Sequence, residues 1–317
     1  MPPTADSAVI LFPGAIGDFI CFLPTLAQLR ARHRGDLLLV ARPALLELVR
    51  FPALTTASID RREVADLFVS EAALHDATRD LFAGFGTAYS WTGFETPEFA
   101  RRLRAATQGV ARVYRFRGMA PGEHAADYYA RCAKVTPAES IDDIIADDPR
   151  WFKGFAAQHD LGRFVLVHPG SGSAKKNWQG FPSLIRRCHE LCGASVVLVR
   201  GPAERRPEML GDGADVEVEE LSLPQVAALL RRCCCYLGND SGISHLAGAV
   251  KTPGIVLFGP SDPAAWAPRS DQLRLLHAPE ECRLCGPEAF CAHRLPVTTV
   301  AGAIRTLLAR LSPRLRV

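Results

Sequence analysis

The sequence lacks the features of a membrane-spanning or exported protein. No uncharged stretch reaches the roughly 18 residues that a spanning helix needs, and Asp18 interrupts the apolar run from Val9 to Leu29. No basic residue precedes Arg30, so the first apolar stretch does not have the pattern of a signal peptide. We therefore expect a cytoplasmic protein whose ten cysteines are reduced thiols or metal ligands rather than a disulfide framework.

Strong charge of one sign is also missing. The formal net charge is +3, which is too small to indicate a nucleic-acid-binding protein. Lysine is scarce, with five lysines against 32 arginines, so the adjacent pair Lys175 and Lys176 is conspicuous. The 317 residues are 48% hydrophobic, which suits two domains of about 150 residues each.

Short apolar runs alternate with amphipathic stretches along the chain, which is the pattern of repeated βαβ units. The predicted strands are Ser7–Phe12, Asp36–Ala41, Thr87–Trp91, Phe164–His168, Ser195–Arg200, Cys235–Gly238 and Gly254–Phe258. This rhythm predicts two doubly wound α/β domains, over residues 1–150 and 151–298. A helix over residues 299–317 follows, and packing of that helix back on the first domain is one option.

Glycine occurs with polar or charged residues directly after many of these strands. The clusters are PGAIGD (13–18), HPGSGSAKKNW (168–178), GPAE (201–204), GNDSG (238–242) and GPSD (259–262). Ligands of parallel α/β sheets bind at the carboxyl ends of the strands, so these clusters are the candidate site.

The loop after the strand Phe164–His168 is the best candidate for a diphosphate site. Ser171 and Gly172 offer hydroxyl and backbone amide groups, and two lysines follow. The spacing is not that of a Walker loop. The alternative is a flexible surface turn with solvated lysines.

Four further residues have both a structural and a functional interpretation. Asp18 and Asp240 stand where helices begin, so each could be a helix cap. Asp18 also stands where a general base would be placed. His245 lies one helical turn beyond Ser241 and could reach the same ligand, although a lone histidine is more often a core residue. Glu204 could bind ribose hydroxyls or be an exposed glutamate.

Cysteines near the C-terminus have the donor types of a metal site. The pattern C-x2-C-x5-C-x-H comprises Cys282, Cys285, Cys291 and His293. Such a set suits a tetrahedral structural zinc or an iron ion. A second CxxC is absent, so buried thiols are the favoured interpretation and metal binding is the alternative.

Taken together, the motifs resemble glycosyltransferase family 9, the ADP-heptose:lipopolysaccharide heptosyltransferases. The matching segments are ILFPGAIGDFICFLPTLAQLR, FVLVHPGSGSAKKNWQGFPSLI, LVRGPAERRPE and LSLPQVAALLRRCCCYLGNDSGISHLAGAVKTPGIVLFGPSDPAAWAP. The resemblance implies a GT-B fold of two Rossmann-like domains that face a central cleft. The first domain would bind the acceptor and the second the nucleotide sugar.

The resemblance also implies roles for individual residues. Asp18 matches the catalytic carboxylate, and Lys176 matches the diphosphate-binding lysine. The other implied donor-binding residues are Ser171, Gly172, Glu204, Leu221, Asp240, Ser241, Gly242 and His245. Phe12 departs from the pattern, because family members often have a basic residue at that position.

The activity implied is inverting, metal-independent transfer of a heptose or related sugar from an ADP-sugar to a glycan or glycolipid acceptor, with no cofactor required. Lipopolysaccharide core assembly, with peripheral contact at the inner membrane surface, would be the setting. The alternatives are a GT-B transferase with another donor, a nucleotide-sugar epimerase, or a catalytically silent nucleotide-sugar-binding protein.

An arginine-rich segment between Arg101 and Arg117 is the candidate acceptor site. It has six arginines and no acidic residue, and arginine suits bidentate contact with phosphate. Arg112 and Arg115 are the residues assigned to the acceptor. The alternative is a solvated helix face followed by a basic loop.

Overall fold

The computed structural model describes residues 4–69, 73–201, 213–278, 290–291 and 293–311. The chain divides into two compact units, Met1–Ala146 and Asp147–Val317. The division falls close to the boundary expected at residue 150.

The first unit is a parallel sheet with helices between its strands. Within the described residues its strands are β1 (Thr4–Leu11), β2 (Leu37–Ala41), β3 (Leu54–Ser58), β4 (Phe85–Ser90) and β5 (Val110–Val113), in the order β3-β2-β1-β4-β5. Its helices are α1 (Ile16–Arg32), α2 (Pro43–Leu46), α3 (Arg62–Ala65), α4 (Asp76–Phe82), α5 (Pro97–Thr107) and α6 (Ala125–Ala133). Every neighbouring pair of strands is parallel.

The second unit repeats this architecture. In the ranges described, its strands are β6 (Phe164–His168), β7 (Ser195–Arg200), β8 (Val216–Glu219), β9 (Cys235–Asn239), β10 (Gly254–Phe258) and β11 (Leu273–His277), in the order β11-β10-β9-β6-β7-β8. Its helices are α7 (Pro149–Gln158), α8 (Phe181–Cys192), α9 (Leu223–Leu230), α10 (Gly242–Ala249), α11 (Pro263–Trp266) and α12 (Val297–Leu311). The predicted βαβ organisation is thus found in both units.

Central strands are buried on both faces, as parallel sheets covered by helices require. All residues of β2, β6, β9 and β10 are buried. The edge strands β3, β5, β8 and β11 include exposed or half-buried residues instead. The central strands therefore have more strongly apolar sequences than the edge strands.

Helix α12 belongs to the second unit. Val300, Ala301, Ile304 and Leu308 are buried in one core cluster with Leu184, Cys188 and other residues of α8. The terminal helix thus packs on α8 within the second unit, and its packing on the first domain stays a prediction. None of the helices in the described ranges combines the length and the apolar character that crossing a bilayer requires.

Candidate functional site

Asp18 lies in the first turn of α1, directly after the central strand β1. A Cβ atom at Gly14 would lie 2.7 Å from Cβ of Asp18 and 2.5 Å from Cε1 of Phe12, so only glycine allows the chain to turn this closely. The backbone N–H of Ala15 donates a hydrogen bond of 3.3 Å to Oδ2 of Asp18. Ala15 is the N-cap of α1, and Asp18, at the third helical position, accepts its backbone N–H, so Asp18 supports the helix start without being the cap itself.

Two side chains from distant parts of the first unit also contact the Asp18 carboxylate. Nη2 of Arg117 lies 3.3 Å from Oδ1 and 3.1 Å from Oδ2. The hydroxyl of Tyr129 donates to Oδ1 at 3.5 Å. Burial and the negative charge of Asp18 raise the pKa of Tyr129, so its phenol remains a proton donor at neutral pH. The sequence placed Arg117 in the arginine-rich acceptor segment rather than beside Asp18, and it did not identify Tyr129 as part of the site.

Tyr129, which contacts the Asp18 carboxylate, belongs to an aromatic cluster around Phe12. The Phe12 side chain is fully buried, and its ring stacks on Phe22 at 4.4 Å between centroids. The rings of Phe116 and Tyr129 meet Phe12 edge-on at 5.8 and 5.3 Å. Phe12, at the position where family members often have a basic residue, is therefore part of a buried aromatic cluster in this chain.

In the second unit, the turn after β6 is organised by Ser171. Its hydroxyl donates to the carbonyl of Ser173 at 2.6 Å and lies 2.7 Å from Oδ1 of Asn177, and it accepts the backbone N–H of Ser173 at 3.2 Å. Gly172 is exposed, and a Cβ there would meet no protein atom within 4 Å. The turn is therefore held by side-chain hydrogen bonds while its backbone at Gly172 stays accessible.

Lys176 and Asp240 meet at the carboxyl ends of two adjacent strands, β6 and β9. Nζ of Lys176 donates to Oδ2 of Asp240 at 2.6 Å. The Asp240 side chain is 5% exposed and that of Lys176 is 34% exposed. The ammonium group thus balances a buried carboxylate and is still accessible to a ligand, whereas Lys175 is exposed at the surface.

Neighbouring residues lock these two loops together. Asn239, fully buried, donates through Nδ2 to the carbonyl of Pro169 at 2.5 Å and accepts the backbone N–H of Trp178 at 3.1 Å. Ser241, not Asp240, is the N-cap of α10 and accepts the backbone N–H of Ser244. The capping interpretation of Asp240 is therefore wrong, because the neighbouring serine fills that role.

The remaining donor-site candidates have different positions. Gly242 is the first residue of α10, and His245 is buried one turn further on. Leu221 is half-buried just before α9 and follows Glu220, which has the left-handed φ of 57°. Glu204 lies outside the described residues.

The predicted metal ligands are described only in part. Cys282 and Cys285 lie outside the described residues, whereas Cys291 is buried and His293 is exposed. The carbonyl of Cys291 accepts backbone N–H groups of Arg294 and Leu295, so a tight turn follows the cysteine. Among the residues that the structure describes, no three His, Cys, Asp or Glu side chains form a metal-binding group.

The arginine-rich segment is not one uniform positive patch. Arg102 is buried and pairs with the buried Asp66 at 2.9 Å. Arg115 is exposed, pairs with Glu95 at 3.1 Å and lies over the ring of Phe94. Arg112 is exposed and lies over the ring of Tyr89. The expectation of a single solvated face is wrong for Arg102, because its acidic partner comes from another part of the unit.

Solved structures with a similar fold include glycosyltransferases. A glycosyl transferase family 9 protein from Veillonella parvula superposes with a TM-score of 0.76 at 19% identity, covering 98% of this chain and 99% of that one. The Escherichia coli heptosyltransferase WaaC with ADP-2-deoxy-2-fluoro heptose has a TM-score of 0.63 at 19% identity, covering 95% and 99%. The dodecameric iron-containing heptosyltransferase TibC in complex with ADP-D-beta-D-heptose has a TM-score of 0.60 at 13% identity, covering 99% and 78%. The predicted GT-B fold, with two Rossmann-like domains, is confirmed.

Sequence comparison finds similarity to the same family. The model of glycosyltransferase family 9 (heptosyltransferase) matches residues 145–289. Lipopolysaccharide heptosyltransferase 3 of Escherichia coli is 28% identical over 120 residues, which are 35% of this chain and 35% of that protein. The chain thus matches about a third of the length of this curated relative. The resemblance seen in the sequence is confirmed by this match to the family 9 model over residues 145–289.

Proposed function

We propose that this protein is an inverting glycosyltransferase that transfers a heptose, or a related sugar, from an ADP-sugar to an acceptor hydroxyl. The match of residues 145–289 to the family 9 model supports the reaction class. The structurally similar WaaC and TibC were solved with an ADP-heptose analogue and with ADP-heptose, which supports the choice of donor.

The contact between Lys176 and Asp240 is the observation that carries the donor assignment. An ammonium group held 2.6 Å from a buried carboxylate can exchange part of that contact for a diphosphate oxygen. The N-terminus of α10 begins two residues after Asp240, at Gly242, and helix N-termini favour anions. The exposed backbone of Gly172 offers a further amide to a phosphate.

Asp18 is the proposed general base. It takes the proton of the acceptor hydroxyl while that oxygen forms a bond to the anomeric carbon of the donor. The bond between the anomeric carbon and the diphosphate breaks, and the leaving nucleotide carries away the electron pair. Lys176 stabilises the charge that develops on the diphosphate, so this proposal requires no catalytic metal.

The acceptor is proposed to be a phosphorylated glycan or glycolipid, such as a lipopolysaccharide core. Arg112 and Arg115 are exposed and would bind its phosphate groups by charge-assisted hydrogen bonds. An acceptor of this kind at an anionic membrane surface would bring the protein into peripheral contact with that surface.

A structural zinc or iron ion is proposed for the cysteine set, separately from catalysis. The structurally similar TibC is an iron-containing heptosyltransferase. Three cysteines and one histidine fit the donor set of a tetrahedral structural site. Of these donors, Cys291 and His293 lie within the described residues and on one turn, which begins at Cys291, whereas the other two lie outside them.

The proposal is tested by a donor screen followed by a product assay. ADP-, GDP- and UDP-sugars are compared by thermal shift, and ADP-heptose is expected to give the largest rise in melting temperature. Free ADP should then appear only when acceptor is present. Interconversion of the sugar without acceptor would indicate an epimerase, and binding without turnover or slow hydrolysis would indicate a silent binding protein.

A further inference from the structure

We propose that Arg117 is a positioning residue for Asp18, an inference that rests on the proposed function. In this role Arg117 touches neither substrate. It compensates the charge of the base and holds its carboxylate in one orientation, so that the remaining lone pairs face the acceptor hydroxyl.

The first argument is charge compensation. The Asp18 side chain is 5% exposed, and an ionised carboxylate buried to this extent is costly unless it is paired. Nη2 of Arg117 contacts both carboxylate oxygens, at 3.3 and 3.1 Å. The hydroxyl of Tyr129 and the backbone N–H of Ala15 add neutral donors to one oxygen each. Arg117 is thus the cation in this set of contacts.

The second argument is that the loop after β5 is built to hold Arg117 in place. The Tyr128 hydroxyl donates to the carbonyl of Arg115, and the ring of Phe116 packs edge-on against Phe12 at 5.8 Å. Gly118 lies so close under Tyr128 that a Cβ there would be 2.7 Å from its hydroxyl. The residues on both sides of Arg117 are therefore fixed, and its guanidinium lies over the ring of Phe116 at 5.3 Å.

The third argument concerns orientation. The three donors come from the start of α1, from the loop after β5 and from α6, so they approach the carboxylate from different elements of the same unit. A carboxylate held in this way cannot rotate freely about χ2. A base displaced by about 1 Å loses about 100-fold in rate, so removal of Arg117 should lower kcat while leaving substrate binding intact.

Arg131 provides a matched control on α6. Its side chain is 59% exposed, against 58% for Arg117, and it also pairs with a carboxylate, that of Glu123. Its guanidinium lies over the Tyr128 ring at 5.3 Å, the same separation as that between Arg117 and Phe116. Arg131 differs in that its acidic partner is not Asp18.

The experiment compares Arg117→Met, Arg117→Lys and Arg131→Met with the wild type under saturating donor. Arg117→Met should lower kcat by about 100-fold with the acceptor KM and the donor Kd within about twofold. Arg117→Lys, which keeps the charge, should recover most of kcat, and Arg131→Met should match the wild type. A wild-type kcat for Arg117→Met would overturn the inference. So would a raised acceptor KM with kcat unchanged, because that result would make Arg117 an acceptor ligand.

A thermal denaturation cycle tests the pairing without any activity. Arg117→Met should lower Tm, because it leaves a buried charge uncompensated, and it should lower Tm much less when Asp18→Asn is already present. Equal losses of Tm in both backgrounds would overturn the pairing. If the wild type transfers no sugar from any donor, the proposed function fails, whereas the cycle still reports on the role of Arg117 toward Asp18.

Discussion

Replacement of Lys176 by alanine is expected to weaken binding of the ADP-sugar far more than replacement of Lys175. A charge-assisted hydrogen bond contributes about 1.5–3 kcal/mol, which corresponds to an increase of about 10- to 150-fold in Kd. The upper part of this range is expected, because the substitution also leaves the carboxylate of Asp240 without the ammonium group that lies 2.6 Å from it. An unbalanced carboxylate would then repel the diphosphate.

Isothermal titration calorimetry with ADP and with ADP-heptose measures this effect directly. Lys175→Ala is the control, because it removes the same charge from the same loop at an exposed position. Its Kd should rise by less than about threefold, as expected for a screened surface charge. Equal Kd values for the two variants would refute the assignment of the diphosphate to Lys176 and the register of the loop on which it depends.

Three further variants separate acceptor binding, metal binding and structural roles. The double variant with Arg112 and Arg115 both replaced by Glu should have a raised acceptor KM with greater salt sensitivity and an unchanged donor Kd. Unchanged acceptor kinetics at low salt would indicate that both arginines are solvated surface residues. Elemental analysis of protein without a histidine tag should find about one zinc or iron per chain, which Cys282→Ser should release with a fall in Tm, and metal-free protein would support buried thiols. Arg102→Met should lower the free energy of unfolding by about 3 kcal/mol in chemical denaturation, because the buried carboxylate of Asp66 then lacks its cationic partner. A loss below about 1 kcal/mol would contradict this prediction.

Acid should remove part of the stabilisation provided by Asp66. Although burial opposes ionisation, hydrogen bonds from Thr78 and His75 hold the pKa of Asp66 at about 2, below the ordinary value of 3.8. A carboxylate with a lowered pKa stabilises the fold above its unfolded-state pKa and loses that contribution as the pH falls through the folded-state value. This contribution should therefore disappear between about pH 4 and pH 2.

The central strands could be predicted from the sequence, whereas the edge strands could not. The apolar runs predict Phe164–His168, Ser195–Arg200 and Gly254–Phe258 with the bounds that the structure has. They do not predict the strands β3, β5, β8 and β11 at the sheet edges. Edge strands are partly exposed, so their sequences have no continuous apolar run to distinguish them from loops.

In the candidate site, residues in local sequence motifs could be predicted, whereas residues brought in by the tertiary fold could not. Asp18, Lys176 and Asp240 follow strands in glycine-containing motifs, which sequence alone can recognise. Arg117 and Tyr129 lie 99 and 111 positions from Asp18, and no local pattern connects them to it. Their contacts with Asp18 can be recognised only when the parallel sheet is known to bring the carboxyl ends of β1 and β5 to the same edge.

The role of Asp18 as general base is the central claim, and Asp18→Asn tests it most directly. The substitution keeps the shape of the side chain and the contact with Ala15 at the start of α1, but it removes the proton acceptor. Calorimetry should give a donor Kd within about twofold of the wild type, and the rate of sugar transfer should fall by at least about 100-fold. Transfer at a rate near that of the wild type would contradict the assignment of Asp18 as the base.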